Sequence, residues 1–145
     1  IPCTLVIIGK LNSRQQALLN ENAVAHKNYV NLSDMELLRR YQACYILAFV
    51  STFEGFGMPI IEAQRVGRVV LTSRCSSMPE VAGNGAHFVN PEDVNDIRQG
   101  LLKLLSQADY RTALIEKGSV NCLRFQAETI ANTYYSIYKQ LIQNV

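Results

Sequence analysis

The chain has 145 residues, 48% of them hydrophobic and 18% charged, which is enough for one globular domain with a core and too few for two of usual size. A net charge of +2, from 14 Lys and Arg against 12 Asp and Glu, with no basic run interleaved with aromatics, excludes a nucleic-acid surface. Cys3, Cys44, Cys75 and Cys122 lie far apart, with no CxxC pair and no histidine at ligand spacing, so buried free thiols in a reducing cytoplasm are expected rather than a metal site or a disulfide framework. No stretch is apolar for long enough to be a transmembrane segment. The opening Ile1-Pro2 has neither Met nor a charged leader and runs straight into an apolar strand, which points to an excised fragment.

Thr4 to Ile8 is a continuous apolar, β-branched run closed by Gly9, the pattern of a strand buried on both faces and central in a sheet. A polar helical segment over Ser13 to Leu19 and a short strand around Tyr29-Val30 follow. Ser33-Asp34-Met35-Glu36 has the spacing of a capping box and opens a helix running to about Cys44. Tyr45 to Val50 is the next strand, Pro59 to about Val66 a helix, Val69-Val70-Leu71 a strand and Ala86 to Val89 another. From Asp93 onward the chain reads as helix, with Val94, Ile97, Leu101, Leu102 and Leu105 on one face. Tyr134, Tyr135 and Tyr138 with Ile130, Ile137 and Leu141 make a later helical stripe, expected to pack rather than to stack on bases. Strand-helix alternation of this kind predicts an α/β fold, a parallel sheet with helices on both faces.

Two of these units share a design. The strand Tyr45 to Val50 runs through Ser51-Thr52-Phe53-Glu54-Gly55-Phe56-Gly57 into Met58-Pro59, and Val69 to Leu71 runs through Thr72-Ser73-Arg74-Cys75-Ser76-Ser77 into Met78-Pro79. Proline favours the first helical position, so Met58 and Met78 are expected as N-caps of helices that start at the C-terminal edge of the sheet. That edge is where open α/β sheets bind ligands, and a helix start with free amides suits an anion such as phosphate. Gly55 and Gly57 leave room for close approach to the loop backbone. Glu54 precedes the first helix and Glu62 is expected at the end of its first turn, so both carboxylates can face one crevice, where they would accept hydrogen bonds from vicinal hydroxyls of a sugar or ribose. The plain alternatives are a solvated loop glutamate at 54 and, at 62, a carboxylate gaining roughly 0.3–1 kcal/mol from the helix dipole.

The ordered composite Glu54-Gly55-Phe56-Gly57-Met58-Pro59-Ile60-Ile61-Glu62-Ala63, then Gly67, then Ser76-Ser77-Met78-Pro79-Glu80-Val81-Ala82-Gly83, resembles the signature of retaining GT-B glycosyltransferases of family 4, glycosyltransferase group 1. The resemblance covers essentially the whole chain and matches the C-terminal, donor-binding half of such enzymes, a Rossmann-like domain. It implies transfer of a mannose- or glucose-type hexose from a nucleotide-diphosphate sugar, UDP- or GDP-linked, with retention of configuration. Glu54 would then lie by the donor sugar as the catalytic carboxylate, the backbone of Gly55, Phe56, Gly57 and Met58 would approach sugar and diphosphate, and Glu62 would hold the ribose hydroxyls. No metal and no cofactor are implied, since the nucleotide-sugar is itself the substrate. A glycan or lipid-linked acceptor would be held by an N-terminal domain that this chain lacks, and the fragment alone is expected to be inactive. The expected setting is cytoplasmic, with the full-length enzyme peripheral to the inner face of the membrane.

Some positions depart from the family pattern. Val50 stands where a proline is common, and Gly67-Arg68-Val69 replaces a Gly-x-Pro. The family's first strand, with its basic diphosphate-binding loop, is not in this sequence; in the family it lies mid-sheet, so either the first and third strands here close the gap or a partner chain fills it. Arg65, Arg68 and Arg74 could reach a diphosphate but are more ordinary as surface arginines, and His26 and His87 are isolated. A receiver-type domain would need a carboxylate cluster at its strand ends, and a dinucleotide-binding domain a GxGxxG after its first strand; neither is present. A nucleotide-sugar-binding or regulatory α/β domain without catalysis stays open as the alternative.

Overall fold

In the computed structural model, which describes residues 3–143, the strands lie in two parallel sheets rather than one. Ile1 and Pro2, on which the expectation about the chain's start rests, lie outside the described residues. The elements in order are β1 (Leu5–Ile8), α1 (Ser13–Glu21), β2 (His26–Tyr29), α2 (Asp34–Ala43), β3 (Ile46–Phe49), α3 (Met58–Arg65), β4 (Val69–Ser73), α4 (Met78–Ala82), β5 (Ala86–Val89), α5 (Val94–Ser106) and α6 (Ala108–Asn121), then a 3-10 turn (Cys122–Phe125) and α7 (Ala127–Gln143). The expected single domain resolves into two compact units, Ile1–Cys44 and Tyr45–Val145.

In the first unit β1 pairs with β2 in parallel, Leu5 opposite His26 and Ile8 opposite Tyr29. Local hydrogen bonds start both helices. Asn12 and Gln15 exchange side-chain-to-backbone bonds of 2.8 and 3.0 Å at the head of α1, and the Glu36 carboxylate accepts from the Ser33 amide and hydroxyl at 2.8 and 2.6 Å. Those bonds from Ser33 hold the Glu36 carboxyl below its usual pKa. The expectation that the first strand is central and doubly buried is not met: β1 pairs with β2 alone, and Leu5, Val6 and Ile8 are 42%, 42% and 47% exposed.

The second unit holds the core. β4 is central in the order β3-β4-β5, and all of its residues are buried. This is the burial expected of a parallel strand covered on both faces. Val69 and Leu71 pack with Val89, Leu104 and Leu114, while Val70 and Thr72, of opposite parity, are equally closed to solvent. α3 and α4 bury Ile60, Ile61, Ala63, Met78, Val81 and Ala82.

Both Met-Pro helices begin one residue earlier than expected. Met58 and Met78 are the first helical residues, and Gly57 and Ser77 are the caps. Gly57 makes this possible by turning the chain at φ +102, where an L side chain is strained. The helical tail also departs from its expected faces. α5 buries Gly100 and Leu104 and, as expected, packs Ile97 and Leu101 against the core, but it leaves Val94 78% exposed and Leu102 partly so. α7 buries none of its described residues, so its Tyr134, Tyr135 and Tyr138 stripe does not pack as expected but stays open, with only Tyr134 and Tyr138 in mutual ring contact. Of the cysteines only Cys122 is buried; Cys44 and Cys75 are half-buried and Cys3 is exposed, which corrects the expectation for Cys3.

Candidate functional site

Parallel pairing of β3 with β4, Ile46 opposite Val69 and Phe49 opposite Thr72, brings the C-terminal ends of the two strands side by side. The loops leading to α3 and α4 are therefore adjacent, and hydroxyls of the second loop fasten the first. Thr72 Oγ1 donates to the carbonyl of Phe49 at 2.8 Å, and Ser73 Oγ to that of Ser51 at 2.5 Å. Ser76 Oγ donates to the carbonyl of Glu54 at 2.6 Å. Ser77 Oγ lies within reach of two carbonyls, those of Glu54 at 3.0 Å and Phe56 at 2.9 Å. Buried Thr72 and Ser73 at the strand end, with exposed Ser76 and half-buried Ser77 in the loop after it, thus hold carbonyls of the neighbouring segment.

The amide side of that loop makes no such bonds. Among the described residues, no hydrogen bond uses the amides of Gly55, Phe56, Gly57 and Met58, while the Gly57 carbonyl already accepts from Ile60 at 3.0 Å. Gly55, Phe56 and Met58 are exposed and Gly57 is buried; unpaired amides at the start of an eight-residue helix suit an anion. Phe56 and Met58 are 43% and 54% exposed.

Glu54 is half-buried, and its Oε1 accepts a hydrogen bond of 2.9 Å from Ser51 Oγ. The carboxylate is thereby held back along its own loop, with the other oxygen and further lone pairs available. Glu62 is also half-buried. Because α3 starts at Met58, Glu62 is its fifth residue and stands in the second turn, past the expected end of the first. The helix dipole acts mainly within the first turn, so its contribution at Glu62 is smaller than at the expected position.

Arg74 is committed to the protein, its Nη2 donating to the carbonyl of Phe88 at 3.0 Å. Arg65 is exposed and Arg68 half-buried. His87, on β5, lies within 2.8 Å of the Tyr110 hydroxyl through Nδ1 with the two rings edge-on at 5.7 Å. Burial, and then the charge of Lys103, push its pKa down. His26, in the other unit, has its Nδ1 2.8 Å from the carbonyl of Val24. Among the described residues no three His, Cys, Asp or Glu side chains gather into a set that could hold a metal ion.

A buried polar network beneath α3 and α4 has no signal in the sequence. Gln64, 2% exposed, donates to the carbonyls of Ala82 and Gly85 at 3.0 and 3.2 Å and accepts from Asn121 Nδ2 at 2.9 Å. Asn121 also donates to the carbonyl of Val81 at 2.8 Å. The two side chains are far apart in sequence, and each alone would read as an ordinary surface amide. Together they fix both Met-Pro helices to the end of α6.

The glycosyl transferases group 1 family model matches residues 1–120. The serotype-specific mannosyltransferase WbdA of Escherichia coli is 33% identical over 113 residues, which make up 78% of this chain and 14% of that protein. Among solved structures, sucrose-phosphate synthase from Thermosynechococcus elongatus is similar with a TM-score of 0.81 at 20% identity, covering 97% of this chain and 39% of the other. Anabaena HepE in complex with UDP and glucose is similar with a TM-score of 0.75 at 17% identity, covering 94% of this chain and 40% of the other. The chain therefore spans a small part of the curated relative and under half of each enzyme of known structure.

Proposed function

The chain belongs to the glycosyl transferases group 1 family, and on that premise we propose that it is the C-terminal, donor-binding part of a retaining family 4 enzyme that moves a hexose from a nucleotide-diphosphate sugar to a glycan or lipid-linked acceptor. Its fold, parallel sheets flanked by helices, is that of GT-B glycosyltransferases. The observation that carries the proposal is the stapled loop Glu54 to Met58: serine hydroxyls reach the carbonyls of Glu54 and Phe56, and the amides from Gly55 to Met58 are left unpaired.

Glycosyl transfer passes through an oxocarbenium-like transition state while negative charge grows on the leaving diphosphate. Fixed donors aimed at that charge lower the barrier without reorganising. In this reading the amides of Gly55, Phe56, Gly57 and Met58 meet the diphosphate and sugar, Glu54 faces the sugar, and Glu62 accepts from the ribose hydroxyls. Ser51 orients the Glu54 carboxylate through its hydrogen bond. The sugar is taken to be of mannose or glucose type, which the similarity to a mannosyltransferase supports. No cofactor enters this reading. Among the described residues no helix is long and apolar enough to cross a membrane, and the proposed setting is the cytoplasm, at the inner membrane face.

Calorimetric titration with UDP and GDP, followed by transfer assays of the natural protein with radiolabelled UDP- and GDP-sugars, tests the proposal. Binding of one nucleotide diphosphate and a product with the donor's anomeric configuration are expected. A protein that binds neither nucleotide rejects the donor site, and a product of inverted configuration rejects retention.

A further inference from the structure

The 3-10 turn Cys122–Phe125 lies far along the chain from the Glu54 to Met58 loop, yet it touches that loop and both helices that follow the two stapled loops. The Phe125 ring meets the Phe56 ring edge-on, with centroids 5.7 Å apart and planes at 89°. Cys122 Sγ donates to the carbonyl of Ile61 in α3 at 3.5 Å. Arg124 Nη1 donates to the carbonyl of Glu80 in α4 at 3.2 Å and to Asn121 Oδ1 at 2.9 Å. Its guanidinium also stands 5.1 Å from the centre of the Phe125 ring.

From this arrangement we infer that Phe125 is a positioning residue for the unpaired amides of Phe56, Gly57 and Met58. Phe56 stands between two glycines, so its own side chain is the handle on that part of the loop. The handle is held from two sides: the Ser77 hydroxyl lies 2.9 Å from its carbonyl, and Phe125 meets its ring. Rotation about the Phe56 backbone would redirect the amides on either side of it, and the ring contact opposes that rotation from the side-chain end. The same turn is anchored through Cys122 and Arg124 to the helices, so the ring of Phe125 is itself held in place. The expected consequence for ligands rests on the proposed donor site; the consequence for loop order does not.

Two measurements on Phe125→Leu, which keeps apolar volume and removes the ring, and on Phe125→Tyr, which restores it, separate these. Backbone 15N order parameters at residues 55–58 should fall in the Leu variant and return in the Tyr variant, with β4 unchanged in both. Affinity for a nucleoside diphosphate should fall about five- to tenfold in the Leu variant, the scale of a lost edge-to-face pair, while affinity for the matching monophosphate changes less than about twofold. A merely structural role would weaken both ligands together and disorder β4 as well. Unchanged order parameters at residues 55–58 overturn the inference whether or not nucleotide binds. An unchanged diphosphate-to-monophosphate ratio in a protein that does bind overturns it too. A wild-type protein that binds neither ligand rejects the donor site and leaves the order parameters to decide this inference.

Discussion

Gly85 and Gly118 meet backbone to backbone: a methyl group on Gly85 would lie 2.4 Å from the Cα of Gly118 and 2.7 Å from the Gln64 amide nitrogen. α6 therefore approaches the turn after α4 more closely than any side chain allows. The helix can do so because Gly85 carries no Cβ; one on Gly118 would instead press on the Gln64 side chain at 3.0 Å. Gly85→Ala is expected to destabilise the second unit by roughly 1–3 kcal/mol, the usual scale of overpacking where backbone must shift. A urea titration followed by circular dichroism checks it, and a midpoint equal to wild type would show that α6 can retreat freely.

Gln64→Leu keeps the volume of a buried side chain and removes its hydrogen bonds. The Gly85 carbonyl loses its side-chain donor, the Ala82 carbonyl keeps only the Gly85 amide, and Asn121 loses one of its two acceptors. An unsatisfied buried group costs roughly 1–3 kcal/mol, so a fall of about that size is expected. The denaturation midpoint reports it. Little change would mean that water enters beneath α3.

The two carboxylates should separate by kinetics. Glu62→Ala is expected to weaken UDP or GDP binding about tenfold or more, since a charged hydrogen bond contributes roughly 1.5–3 kcal/mol. Glu54→Gln should leave nucleotide affinity near wild type and depress turnover of the natural protein much further, because its proposed partner is the sugar. Equal nucleotide affinity in wild type and Glu62→Ala removes the ribose role, and an unchanged rate in Glu54→Gln returns that residue to the solvated loop.

His87 supplies an acid-side pH dependence. Its pKa in the folded chain lies below the ordinary value of about 6.5, because burial, and then Lys103 and Arg74, disfavour the charged ring, against the pull of Asp96. As pH falls through 6.5 the unfolded chain takes up a proton that the folded chain refuses. Stability therefore declines with falling pH until the folded pKa is passed, and rises with pH across that window. His87→Gln should flatten this part of a stability-versus-pH curve relative to wild type. A variant whose curve tracks wild type from pH 7 to about 5 would assign the decline to other groups.

The second unit was legible because its signals are local. Continuous apolar runs mark β3 and β4, and the repeated Met-Pro places both loops on one sheet edge. Two details escaped for local reasons as well. Gly57 takes the cap that Met58 was expected to hold, and this one-residue shift moves Glu62 into the second turn. What the sequence did not show depends on distant pairs, as with Gln64 and Asn121 or Phe56 and Phe125. The first strand misled for a different reason. Apolar, β-branched composition states what a strand can bury, and β1 in this structure has a partner on one side only.

Within the first unit, Ile1–Cys44, Tyr41 is the one buried side chain among the described residues. A unit of that size with so little shielded from water has scant cooperativity of its own, whereas Tyr45–Val145 contains a closed core. Heating or denaturant should therefore not act on the chain as on one all-or-none system. Amides of the first unit are expected to exchange with solvent faster than those of β4, whose residues are all buried, and a melting curve is expected to report chiefly on the second unit.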